Sequence, residues 1–160
     1  MPKVYGSAES VEHYAQVLIP TTHPELATAR IRYVFADPGS KKNGKPVYGK
    51  ARKISGIMEH LLDLDFLIEV GIDHWNELTE EQRTAVVDHL LERCTGEEDE
   101  SAGGAMKWVL REPDVQEFST VLHRQGAWHE DLDAFVSIAK RINLDEIAGE
   151  IDTEEVVQRT

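Results

Sequence analysis

The stretch AVVDHLLERC, Ala85 to Cys94, sets one histidine, two acids and an arginine on what its apolar spacing marks as a helix. Residues four apart share a helix face. A zinc-binding helix therefore offers two imidazoles at i and i+4, with a glutamate beside the first as general base. Here His89 is followed by Leu90, Leu91, Glu92 and Arg93. A guanidinium has no lone pair to give a metal, and leucine accepts no proton. The run also half-matches His-x-x-Glu-His with Glu92 as the base, but Arg93 again fills the place of the last histidine. A set drawn from His89, Glu92 and a distant His123 or His129 is the remaining metal alternative, since Cys94 at i+5 lies off that face. With Ala85, Val86 and Arg93 on its side of the helix, His89 is expected to be a hydrogen-bonded core residue. Arg93 in the last turn also complements the helix dipole. Cys94 is expected to be a buried thiol, and Trp75, Trp108 and Trp128 packing residues.

A different chemistry is suggested upstream. Lys41, Lys42, Lys45, Lys50, Arg52 and Lys53 crowd a short stretch with no acid among them, a possible phosphate contact or a solvated hairpin. The rest of the chain runs the other way. Residues 1–87 hold 10 basic and 12 acidic side chains, residues 88–160 hold 7 and 18, and the net charge is −13. Such acidity excludes general coating of nucleic acid and leaves only a local basic finger for it. An acidic surface instead suits a protein partner with a basic face.

These residues need elements to position them. SVEHYAQVLI has helical spacing, with Ser10 as the expected N-cap and Pro20 as its stop; HPELATA follows as a short helix. RIRYVF alternates, with Ile31, Tyr33 and Phe35 on one face, and a turn-rich segment leads to a second strand near VYGKARKI. LLDLDFLIEV predicts a half-buried third strand with Leu62, Leu64, Phe66, Ile68 and Val70 on one side and Asp63, Asp65 and Glu69 on the other. Thr79 and Gln82 have capping-box spacing and Gly96 suits a stop, which predicts a helix from about Glu80 to Cys94. EEDESAGG reads as a solvated acidic loop, AMKWVLR as a fourth strand, PDVQEFSTVLHR as a helix starting at Pro113 and DLDAFVSIAKR as a closing helix. The pattern is α+β: a short, mostly antiparallel sheet packed on helices with a central motif helix. Residues 1–143 are expected to form one domain and 144–160 an acidic tail. One cysteine permits no internal disulfide, and neither an apolar leader nor an apolar run of membrane-spanning length is present, so a cytoplasmic protein is expected.

The segments GKPVYGKARKI, LDFLIEV, HWNELTEEQRTAVVDH, PDVQEFSTVLHRQGAWHEDL and AFVSIAK, in this order and spacing, resemble the phage metallopeptidase family, small zincin-like proteins encoded by bacteriophages. The resemblance covers roughly Val11 to Arg141. It implies a zincin-like fold and, in intact members, a zinc-dependent hydrolase site on a helix reading Asp-His-Glu-Leu-x-His-Cys. Asp88, His89, Leu91 and Cys94 match that pattern. Leu90 stands at the base position and Arg93 at the second histidine. A further His-Asp-Val-x-Glu-Phe pattern meets Pro113 to Phe118, where only Glu117 offers a ligand atom.

With His89, Leu90, Arg93, Pro113 and Glu117 as a degenerate site, no catalytic residue and no cofactor are expected. His89, Glu92 and Glu117 are the residual metal candidates, and zinc the cofactor if they assemble. Loss of the base alone removes about 10²–10⁴-fold in rate. The leading expectation is a phage protein that binds a host protein in the host cytoplasm, in an anti-defence or host-takeover role. An unorthodox zinc hydrolase around His89 and a nucleic-acid contact through the Lys41–Lys53 hairpin are the alternatives. Arg93 is expected to pair with Glu117 or Asp114.

Overall fold

The computed structural model describes residues 2–142; the expected acidic tail lies outside the described residues. The chain divides at Glu112/Pro113 into two compact units.

The first unit is built on a four-stranded sheet in the order β1-β2-β6-β5. Strands β2 (Ile31–Asp37) and β6 (Phe66–Gly71) pair in parallel at its centre, Tyr33 opposite Ile68. Strands β1 (Val4–Ser7) and β5 (Gly49–Lys53) flank them antiparallel. Between β2 and β5 lies a hairpin of β3 (Ser40–Lys42) and β4 (Lys45–Val47). A second hairpin, β7 (Cys94–Asp99) with β8 (Ala105–Leu110), closes the unit. Helices α1 (Glu9–Thr22) and α4 (Glu80–Arg93) pack on each other, and their apolar stripes share one core with the sheet. Phe66, Ile68 and Val70 of β6 meet Val11 and Ala15 of α1 and Val87, Leu90 and Leu91 of α4 there. The short helices α2 (Ile57–Leu62) and α3 (Ile72–Asn76) bracket β6. This mixed architecture is α+β, with antiparallel pairing everywhere except β2–β6.

Several local expectations are corrected. Ser10 does not cap α1; its hydroxyl accepts from the indole N–H of the buried Trp75 at 3.2 Å, and Ala8 is the N-cap. Pro20 lies inside α1, which continues to Thr22. HPELATA holds only the 3-10 turn Pro24–Leu26. The predicted third strand begins five residues late, at Phe66 instead of Leu61, because Leu62 ends α2 and Asp63 closes it in a left-handed conformation. Asp65 is not on a wet face. It is 3% exposed and accepts from the backbone and the guanidinium of Arg30, which also contacts Asp63. Burial opposes the charge on Asp65, yet these hydrogen bonds outweigh it and hold the carboxyl below its ordinary pKa.

Gly96 is no helix stop. α4 runs straight into β7 through Cys94 in extended conformation, and Gly96 sits where the Trp108 ring crosses the strand, so an added Cβ would lie 2.5 Å from the ring. The acidic segment beginning at Glu97 is therefore first a strand, and only residues 100–104 turn. The Thr79–Gln82 capping box forms as predicted. β1, α2 and α3 carry little apolar periodicity of their own and were not anticipated.

In the second unit, residues 113–118 are not helical and α5 runs from Ser119 to Gln125. Residues 130–142 are helical. Their first turn is capped by His129, whose Nδ1 accepts from Leu132 N at 3.3 Å.

Candidate functional site

Helix α4 has its own logic. Val87, Leu90, Leu91 and Cys94 recur at helical spacing and are all buried, which fixes which side faces the sheet. Asp88 and Glu92 then fall on one flank, His89 and Arg93 on the other.

On the second flank, His89 is exposed rather than the hydrogen-bonded core residue expected, because the buried stripe passes through its neighbour Leu90. It lies at an open groove of about 460 Å³ between β4–β5 and α4, walled by Val47, Tyr48, Val86 and Leu90. Leu90 is 2% exposed and reaches beneath Gly49 of β5, where an added Cβ would meet its Cδ1 at 2.7 Å. One turn on, Arg93 Nε donates to the carbonyl of Arg111 at 3.2 Å and Nη2 to Glu112 at 3.1 Å. The guanidinium is thus pinned to the end of the β7–β8 hairpin, with Glu112 as the acid that holds it. Cys94 is the buried thiol expected, donating to Leu90 O at 3.5 Å, and burial pushes its pKa up to about 12.

The first flank carries a cluster that the sequence reading missed. His23, at the end of α1, is buried at 1% exposed, with Nε2 2.6 Å from Asp88 Oδ1. Its Nδ1 lies 3.6 Å from Glu92 Oε2 and 4.0 Å from Glu25. Arg111 Nη1 donates to the other Glu92 oxygen at 2.5 Å. Asp88 and Glu92 stand at i and i+4, but nothing local joins them to a histidine 65 residues away from Asp88.

The basic residues divide between two elements. Lys41, Lys42 and Lys45 are exposed on the β3–β4 hairpin. Lys50 and Arg52 are on β5; Lys50 lies opposite the buried Glu69, and Arg52 sits 4.0 Å from its carboxylate. Lys53 is half-buried near Asp65. In the second unit, Glu117 accepts from Phe118 N at 2.7 Å and from Trp128 Nε1 at 2.9 Å, and those bonds lower its pKa. Pro113 and His123 are exposed. Trp75 and Trp108 pack in the core as expected, whereas Trp128 is 60% exposed; it stacks edge-on against His129 and uses its N–H on Glu117.

The sequence pattern of one protein family, described as "Putative phage metallopeptidase", matches residues 4–142. The chain belongs to that family. No curated protein and no solved structure matches it. Among the described residues, no helix is long and apolar enough to cross a membrane.

Within this phage metallopeptidase scaffold, the positions the resemblance assigns to zinc chemistry are His89, Leu90 and Arg93 of α4, with Pro113. Their donor chemistry does not fit a zinc ion: one imidazole is present, the base position is an alkyl chain within the core, and the second ligand position is a guanidinium with two hydrogen bonds of its own.

Proposed function

We propose that this chain is a non-catalytic member of the phage metallopeptidase family that acts by binding a host protein with a basic surface. The observation that carries the reading is Leu90. The position at which the family's hydrolase chemistry needs a carboxylate holds a side chain built into the core against Gly49, so the helix packs where catalysis would otherwise sit. Arg93 adds a fixed cation at the second ligand position, tied by Arg111 and Glu112. An acidic face supports the binding half of the reading. Glu97, Glu98 and Glu100 are exposed along the outer end of β7 and its turn, and such a surface attracts basic partners and repels nucleic acid. Anti-defence and host-takeover roles both fit this mode of action.

The test pairs a hydrolysis assay with a binding assay. Zinc-supplemented protein is expected to leave an unfolded protein substrate intact. Immobilised protein is expected to retain a basic host protein at low salt and release it as salt rises, with retention reduced by charge reversal at Glu97, Glu98 and Glu100. Chelator-sensitive hydrolysis lost in His89→Ala would overturn the reading in favour of a zinc hydrolase with an unorthodox ligand set.

A further inference from the structure

The flank of α4 opposite His89 plays no part in that reading, and its chemistry is different. Asp88 and Glu92 stand one turn apart, both aimed at the same imidazole. One atom each from His23, Asp88 and Glu92 lie within 4.8 Å of one another. Like charges at i and i+4 repel on a helix, and here the repulsion occurs beside a side chain almost wholly withdrawn from water. Internal partners relieve it only in part. Asp88 satisfies Nε2 of His23 at 2.6 Å, and Arg111 takes Oε1 of Glu92. The remaining Glu92 oxygen faces Nδ1 across 3.6 Å, beyond hydrogen-bond reach, with Glu25 at 4.0 Å on the same side of the ring.

We propose that His23, Asp88 and Glu92 form a site for one divalent transition-metal cation of the Zn²⁺ or Mn²⁺ class, clasping the end of α1 to α4. A nitrogen and two carboxylate oxygens suit borderline first-row cations, which accept mixed N/O sets. The all-oxygen preference of Mg²⁺ and Ca²⁺ does not match a set centred on imidazole. The nearby thiol is not a donor, since Cys94 is turned into the core. A cation takes one ring nitrogen only, so one carboxylate must turn from the other nitrogen towards it; the two are 47% and 57% exposed and free to change rotamer, while the buried ring supplies the fixed point. The bound cation neutralises the paired carboxylates and cross-links segments that the chain separates by 65 residues. This role is structural and does not depend on the His89 face.

The full chain, stripped with chelator and exchanged into metal-free buffer at pH 7, is titrated separately with ZnCl₂, MnCl₂ and MgCl₂ by calorimetry, with thermal unfolding followed in parallel. The expected result is one equivalent of Zn²⁺ or Mn²⁺ bound, tighter than Mg²⁺, with a raised Tm. Glu92→Gln and Asp88→Asn are each expected to weaken binding by about 10-fold or more and to abolish the metal-dependent rise in Tm. Both positions are half exposed, so these variants keep the fold even where His23→Gln does not, and circular dichroism checks this. The proposal is overturned by absence of saturable binding to millimolar metal, by Mg²⁺ binding as tightly as Zn²⁺, by affinity unchanged in both variants, or by binding that His89→Ala removes. The last result would place the metal on the other flank of α4 and count against the non-catalytic reading as well.

Discussion

Leu90 shows how one side chain decides two things. As an apolar residue beneath Gly49 it completes the contact of α4 with β5; at the position where the family resemblance implies a carboxylate base, it offers no proton acceptor. Leu90→Glu is therefore expected to destabilise the first unit by on the order of 3 kcal/mol rather than restore chemistry, because a carboxyl would be buried without a partner. Urea denaturation measures the loss, and unchanged stability would show that the groove can open to hydrate the new group. Cys94 supplies a second prediction. Its thiol pKa is pushed up to about 12 by burial, against about 8.5 in an unfolded chain. Both states hold the proton at neutral pH, so there is no pH dependence there. Above about pH 8.5 the unfolded chain releases it and the native one does not, so stability falls as pH rises towards 12. A thiol reagent at pH 8 is expected to react slowly with native protein and rapidly in urea.

Between elements, the tie that joins the start of β2 to the start of β6 is the Arg30–Asp65 pair. Asp65 is buried, accepts three hydrogen bonds from Arg30 and keeps its charge to a lower pH than a free carboxylate. Its stabilising contribution is present above the unfolded value of about 3.9 and is lost as pH falls through the lower native value. Arg30→Ala is expected to cost about 2 kcal/mol at pH 7 and to shift acid unfolding to higher pH, read by circular dichroism against pH. Coincident acid limbs for wild type and variant would show that the pair contributes nothing. This tie also explains why LLDLDFLIEV misled. Phe66, Ile68 and Val70 do face the core, but Asp65 and Glu69 are buried as well, Asp63 stays exposed while contacting Arg30, and Leu62 belongs to a helix. The capping box of α4, by contrast, was legible because Thr79 and Gln82 satisfy each other within one turn.

At the scale of the whole molecule, charge governs what it can meet. The six basic side chains are contiguous in sequence but not equivalent in space. Lys41, Lys42 and Lys45 stand on a hairpin, whereas Arg52 and Lys50 share β5 with the paired position of Glu69. With a net charge of −13 around them, binding to duplex DNA is expected to be weak and to vanish by about 0.15 M salt. A filter or anisotropy titration with the triple Lys41/Lys42/Lys45→Ala variant checks this, and salt-resistant affinity lost in that variant would favour the nucleic-acid alternative. The sequence by itself determined the α+β class, the position of α4 and its cap, the strands at Ile31 and Ala105, and the family, because each rests on local periodicity or on an ordered set of motifs. Only tertiary structure decided what stands against each flank of α4. It thereby exposed His89, buried Leu90 and gathered His23 with Asp88 and Glu92. Those outcomes depend on packing between segments far apart in the chain, and no window of residues records them.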